Sequence, residues 1–406
     1  MVCQNGRADQ ARQQGRMNIA VVGCGYVAEF YGKTLCNYPD LRLVGAYDRN
    51  AENLQKFCHR WPGRQYSSLA ELLEDRSIEL VLNLTNPRSH YDVTRKCIEA
   101  RKHVYTEKPL AMDSERAREL VALADEAGVY LGCAPCSLLS ETAQTVWKAL
   151  KDGVIGRVRL VYASFDDGMI APNMSPWNWR NELGVPWPAR DEFEVGCTYE
   201  HAGYILTWLA GFFGPATAVT SFASCLLPNK GIAVETMAPD LTVGCIEYEE
   251  GVVARVTCSL VAPKDKSLTI IGDGGVLTVA DVRNDRCAVY VRSSKLKRWQ
   301  GAVERRVNSL RRTLRFGGHD REWLFWEKYP LVNAAKTKLV GKGKPVDFNR
   351  GPAEMATAIR EGRACRLSGH FGLHVTELIE SLQYPERFGH RRKLTSRFDR
   401  IEPLWD

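Results

Sequence analysis

The spacing of apolar residues changes partway along the chain. Up to about residue 136, short β-branched runs at 19–22, 41–46, 80–84, 103–106 and 129–133 alternate with amphipathic stretches of helical period at 51–60, 91–100 and 114–126. That alternation predicts a doubly wound parallel sheet with crossover helices, an α/β fold. Asp113 or Ser114 supplies a cap for the last of these helices. A further helix is predicted over 140–151, ending at Asp152-Gly153. Beyond it the period becomes two, with strands at 158–165, 216–223, 241–248, 252–260 and 268–271, and Glu249-Glu250-Gly251 reads as a hairpin turn. A second, mainly antiparallel sheet follows from that pattern. Residues 172–191, rich in Pro, Trp and Asn, read as an irregular stretch long enough to be functional. Helical period returns over 351–383.

At 406 residues the chain exceeds one typical core and suits two domains. No apolar run approaches the about 20 residues that span a bilayer. The first 16 residues are polar, with scattered Arg and no apolar core segment, so they read as a disordered extension rather than a secretory signal, with Met17 as an alternative start. Thirteen cysteines scattered along the chain point to a reducing cytoplasm. Much of the net charge of +7 sits in one segment: Arg292, Lys295, Lys297, Arg298, Arg305, Arg306, Arg311, Arg312 and Arg315, with Glu304 nearly its only acid. Such a segment attracts polyanions or simply stays solvated. Thin aromatic interleaving and the lack of a nucleic-acid motif favour the solvated reading, so neither a nucleic-acid nor a membrane partner is expected.

Chemistry enters where the first strand meets Gly23-Cys24-Gly25-Tyr26-Val27-Ala28. The first Gly permits the tight turn, the second lets a pyrophosphate approach backbone N–H groups, and the small Ala lets helix and strand pack closely. Asp48, at the end of the second strand, stands where an acid binds the adenosine ribose and repels a 2′-phosphate. NAD is therefore the expected cofactor; Arg49 next door softens the preference and keeps NADP as the alternative. Glu107-Lys108-Pro109 follows the 103–106 strand, at the sheet edge where open α/β sheets bind ligands. A lysine there can stabilise an alkoxide or carry its proton while hydride moves. His370 and His374 are spaced i, i+4, but the sequence between them lacks the Glu of a zinc motif, and no metal site is expected.

Together the glycine motif, the Asp48 strand, Thr85-Asn86-Pro87 with His90, and Glu107-Lys108-Pro109 resemble the glucose-fructose oxidoreductase, inositol dehydrogenase and MocA family over about residues 18–383. The resemblance implies a Rossmann domain at 17–136 and a substrate-binding and oligomerisation α/β domain with a large open sheet at 137–386, flanked by an extension at 1–16 and a tail at 387–406. It implies a homo-oligomer, dimer or tetramer, acting on a sugar, inositol or nucleotide-sugar carbon. Gly23, Gly25, Tyr26, Val27, Asp48, Arg49, Thr85, Asn86, His90, Glu107 and Lys108 then face the cofactor, and Lys108, Trp177, Arg180, Glu200 and His201 face the substrate. Lys108 matches the catalytic lysine and His201 the histidine at a helix start. The family's Asp before that histidine is here Cys197, its Gly is Tyr199, and its glycine triplet falls on Asp191-Glu192-Phe193. A thiol does not replace a carboxylate in proton transfer without a shifted pKa. The relay is left to Tyr199, Glu200 or Glu194; Tyr199 is preferred because a phenol donates without ionising. A redox-assisted glycoside-cleaving enzyme and a non-catalytic dinucleotide-binding regulator stand as alternative functions.

Overall fold

The computed structural model describes residues 15–170, 178–295, 298–313, 324–332, 339, 346–389 and 391–405. Six short strands, β1 (Met17–Val22), β2 (Leu41–Tyr47), β3 (Arg64–Gln65), β4 (Leu80–Asn83), β5 (His103–Thr106) and β6 (Leu131–Cys133), form one parallel sheet in the order β3-β2-β1-β4-β5-β6. The order reverses between β1 and β4, the switch point at which such sheets bind ligands. Register then decides what meets there. Val22 lies opposite both Tyr47 and Asn83, and Asn83 lies opposite Thr106, so the residues that follow, Gly23, Asp48, Leu84 and Glu107, line a single edge. The crossover helices start where side chains accept orphan N–H groups: Asn50 for Ala51–Arg60 and Asp113 for Ser114–Ala127.

The second sheet has nine strands: β7 (Val158–Asp166), β8 (Ala216–Ser224), β9 (Leu241–Tyr248), β10 (Val253–Ser259), β11 (Leu268–Gly272), β12 (Gly275–Val279), β13 (Val289–Ser293), β14 (Glu327–Tyr329) and β15 (Arg392–Lys393). All pairs are antiparallel except β7 with β10. One face packs on the helices Glu141–Lys151, Gly203–Phe213 and Gly369–Gln383 around Phe165, Trp208, Ile246, Phe371 and Leu378. The other leaves Tyr162, Phe222 and Tyr290 exposed. The sequence pattern stops four strands short of this sheet, because β12 to β15 are brief and interrupted by polar turns.

Three further differences matter. Residues 172–191 are not irregular throughout: Ala189 begins the helix Ala189–Val195. The run from Val346 through the helix Arg350–Glu361 to Cys365 returns to the first sheet, where Phe348, Met355 and Ala358 share a core with Ile19, Leu82 and Tyr105. Helical period shows that a stretch is amphipathic but not which sheet it covers. The tail is also packed: Leu394 and Phe398 are buried and Trp405 meets Trp147 edge to face. Residues 1–14 of the expected extension at 1–16 lie outside the described residues, as do Lys297 and Arg315; Arg292 of the basic segment lies on β13 and pairs at 2.7 Å with Glu304 of the helix Arg298–Thr313.

Candidate active site

A cleft of about 840 Å³ opens between the two sheets. At its dinucleotide end, Gly23 adopts φ +94°, and a Cβ there would stand 2.7 Å from the Leu84 carbonyl carbon, so only glycine fits. A Cβ at Gly25 would meet nothing within 4 Å. That gap lies before the helix Ala28–Thr34, which no side chain caps, so its N–H groups are available to an anion. Asp48 accepts from the backbone N–H of Cys24 at 2.5 Å and of Asn50 at 2.6 Å. Its carboxylate therefore already braces the glycine loop, with lone pairs left for ribose hydroxyls. Arg49 is exposed at the rim. Asn86 Oδ1 is buried without a hydrogen-bond partner among the described residues, as expected of a group awaiting a ligand. These features fit a dinucleotide. His90 does something different: its ring nitrogens sit 2.7 Å from the Pro109 carbonyl and 3.0 Å from that of Thr85, fastening the turns after β4 and β5 together. Burial holds its pKa below the ordinary histidine value.

At the reacting end, Glu107 is buried, accepting from the Tyr31 hydroxyl at 2.8 Å and from the Lys108 backbone N–H at 3.2 Å. Lys108 Nζ donates to Glu200 Oε2 across the domain boundary. Burial disfavours the lysine cation, but Glu200, Tyr204 and Glu107 outweigh it and hold the ammonium above the ordinary lysine pKa. His201 is stacked on Phe165 at 5.4 Å between two carboxylates: Glu192 Oε1 lies 2.6 Å from Nε2 and Asp167 Oδ2 lies 3.9 Å from Nδ1. Asp167 is held ionised well below the usual carboxylate range: burial opposes this, but His201, Lys266 and Arg283 prevail.

Residues 17–134 match the oxidoreductase family model with an NAD-binding Rossmann fold, and residues 143–278 match the GFO/IDH/MocA C-terminal domain. The chain belongs to the GFO/IDH/MocA oxidoreductase family. It is 24% identical to the mouse trans-1,2-dihydrobenzene-1,2-diol dehydrogenase over 271 residues, 64% of this chain and 73% of that protein. A 1,5-anhydro-D-fructose reductase of Ensifer adhaerens is 35% identical over 199 residues, 48% of this chain and 54% of the reductase. The WlbA dehydrogenase of Bordetella pertussis, solved with NADH and UDP-GlcNAcA, has the same fold, with a TM-score of 0.67 at 20% identity over 94% of this chain and 98% of its own. NAD is the cofactor class of this family's Rossmann domain.

Among the described residues, the cleft is lined by every cofactor- and substrate-facing residue named from the sequence except Arg180, and by none of Tyr199, Glu194 and Cys197. Tyr199 is fully buried, and its hydroxyl donates to the Met112 carbonyl at 2.8 Å. The phenol is therefore engaged by the backbone and does not line the cleft. The physical reason was available in the spacing, since residues two apart on a helix point about 200° from one another, so Tyr199 and His201 cannot share a face. Glu200 and His201 line the cleft from a turn of π-helix, Thr198–Ala202, and Tyr204 lines it from the Gly203–Phe213 helix that follows. Arg180 is exposed and donates to the Gly184 carbonyl at 2.7 Å, within its own loop. Trp179 lines the cleft instead, edge-on to Trp187 at 4.9 Å. Trp177 lies outside the described residues. Glu194 is engaged by Arg190 and Arg88 away from the cleft. Cys197 faces the core, where its thiol donates to the Cys258 carbonyl at 3.5 Å. The carboxylates beside His201 instead come from Glu192, within the segment that departs from the family's glycine triplet, and from Asp167 just beyond β7. His370 and His374 diverge: the first is exposed beside Asp125, the second buried between the Ala216 N–H and Ser396.

Proposed function

We propose that this protein transfers hydride between a nicotinamide dinucleotide, NAD in preference to NADP, and a carbohydrate carbon that alternates between alcohol and ketone. The observation that carries the reading is the Lys108–Glu200 pair, which joins the cofactor-side strand end to the second domain in one cleft with His201. The dinucleotide, when bound, supplies the carbon that accepts or gives up hydride. This chain's residues move the proton. On oxidation, the substrate hydroxyl proton reaches Lys108 Nζ as Nζ passes one of its own to Glu200 Oε2; reduction runs the transfers in reverse. His201, held by Glu192, donates to or accepts from a neighbouring substrate oxygen. Apolar walls from Trp179, Trp187 and Pro188 suit the C–H faces of a sugar.

A second copy of the chain suits the exposed Tyr162, Phe222 and Tyr290 face, and the cysteines among the described residues, all free thiols, suit a reducing cytoplasm. The test is an absorbance screen of sugars, inositols and nucleotide sugars with NAD and NADP, repeated with Lys108→Ala. Turnover that falls about 100-fold in the variant, with cofactor affinity nearly unchanged, is the expected result. Near-normal turnover by the variant would remove Lys108 from the reaction, and cofactor binding without turnover of any compound would favour a regulator.

A further inference from the structure

One cation at the reacting end, near Asp167 and Asp281, makes no direct ion pair among the described residues. Arg283 follows β12 and lines the same cleft as Lys108, Asp167 and His201. Its guanidinium lies over the Tyr204 ring, 5.1 Å from the centroid. The turn that carries it is anchored: the Arg283 N–H donates to Asp281 Oδ1 at 2.9 Å, and the Thr142 hydroxyl donates to the Asn284 carbonyl at 2.8 Å while accepting from the Cys287 N–H at 2.7 Å. The side chain is thus delivered from a fixed base. Among the described residues its guanidinium makes no hydrogen bond and no ion pair within 4.0 Å. Neighbouring charges are matched elsewhere: Lys108 with Glu200, Lys266 with Asp167 at 2.5 Å, His201 with Glu192, and Glu107 with the Tyr31 hydroxyl.

Arg283 is half-buried at the cleft wall, so its N–H groups are left to solvent or to a ligand in the cleft. Its planar fork matches paired oxygens of a carboxylate or phosphate. The cofactor's diphosphate belongs at the Gly23–Gly25 loop, whereas Arg283 stands over Tyr204, one turn on from His201. We propose that Arg283 binds an oxyanion of the substrate, a carboxylate or phosphate carried by the sugar, and so selects acidic carbohydrates over their neutral counterparts. This rests on the carbohydrate oxidoreductase reading above.

The test uses the full chain with cofactor bound and matched probes: glucose against glucuronate and against glucose 6-phosphate, and UDP-glucose against UDP-glucuronate. Turnover is followed by nicotinamide absorbance and binding to the NADH complex by calorimetry. At least one acidic probe is expected to exceed its neutral partner about 10-fold or more, and the glucuronate and phosphate arms separate carboxylate from phosphate. Arg283→Gln brings that ratio close to one while NADH affinity is retained, and Arg283→Lys, which keeps the charge without the fork, gives an intermediate ratio. Equal or better use of the neutral partners by the native enzyme overturns the inference and leaves the oxidoreductase reading standing. So does a ratio unmoved by either substitution, or a loss of NADH affinity in Arg283→Gln, which assigns the guanidinium to the cofactor. If no probe binds at all, the carbohydrate reading fails and the inference falls with it.

Discussion

Glu200→Gln and Lys108→Met, made singly and together, measure whether the two domains meet through a charge pair at the reacting centre. Lys108 and Glu200 keep only 15% and 11% of their side-chain surface exposed. Unit charges in contact at an effective dielectric of about 20 interact by roughly 4 kcal/mol, and removing one partner of a buried pair costs about 3–5 kcal/mol because the other stays desolvated. Glu107 and Tyr204 also support the Lys108 cation, so the lower end applies: about 3 kcal/mol for each single variant. The double variant removes both charges and should lose about 3 rather than about 6 kcal/mol, a coupling of about 3 kcal/mol. Urea unfolding of the cofactor-free chain, followed by tryptophan fluorescence, gives all four free energies without knowledge of the substrate. A coupling below about 0.5 kcal/mol, the range of independent sites, would show that Lys108 and Glu200 do not share a proton-passing contact, and the relay would have to be abandoned.

Asp48→Ala should shift the NADH over NADPH affinity ratio toward NADPH by about 10-fold, read by fluorescence titration, because repulsion of a 2′-phosphate is lost; an unchanged ratio places the discrimination elsewhere. Tyr199→Phe orphans the Met112 carbonyl and should cost about 1–3 kcal/mol of stability while turnover stays within a few-fold, whereas His201→Ala should cut turnover about 100-fold; a Tyr199→Phe variant as inactive as His201→Ala would restore the phenol to the site. His374 is buried, and burial chiefly pushes its pKa down to about 4 from the ordinary 6.5. Between those values the unfolded chain binds the proton and the folded chain does not, so stability is lost as pH falls from 6.5 to 4, by about 3 kcal/mol. The stability difference between native chain and His374→Gln should shrink by that amount from pH 7 to pH 4, and a pH-independent difference would show that the imidazole titrates normally.

The dinucleotide end was legible because its determinants are local. Gly23, Gly25 and Asp48 each follow a strand directly, and parallel register brings strand ends to one edge without further information. Lys108 was legible for the same reason. The carboxylates around His201 were not, because Asp167 and Glu192 arrive from separate elements and neither carries a spacing signal. Glu192 sat inside a segment noted only for departing from the family's glycines, and the search for a replacement acid stayed within a few residues of Cys197. Arg283 was invisible for a similar reason: an arginine in a turn resembles every other solvated arginine until the fold places it in the cleft with no hydrogen-bond partner for its guanidinium among the described residues.

In the proposed reaction the proton-handling groups come from different sheets, which makes the joint between them part of the chemistry. Lys108 sits on the first sheet, while Glu200, His201 and Arg283 belong to the second. Two connections hold that spacing. Asn349 Nδ2 donates to the Tyr31 carbonyl at 2.6 Å, and Tyr31 in turn holds Glu107; Asp347, next but one, accepts from Asn37 at 2.8 Å and from Tyr38 at 3.0 Å. On the other side, Arg350 pairs with Glu141 at 2.6 Å and with Asp285 at 3.0 Å, two residues beyond Arg283. Residues 347–350 therefore touch the support of Glu107 at one end and the turn bearing Arg283 at the other. Hydrogen bonds to buried charged groups are short and directional, so a segment of which Phe348 alone lines the cleft helps to set the distance from lysine to guanidinium. That explains why the chain returns to its first sheet after completing most of the second: the return sets the geometry across which a substrate would have to reach.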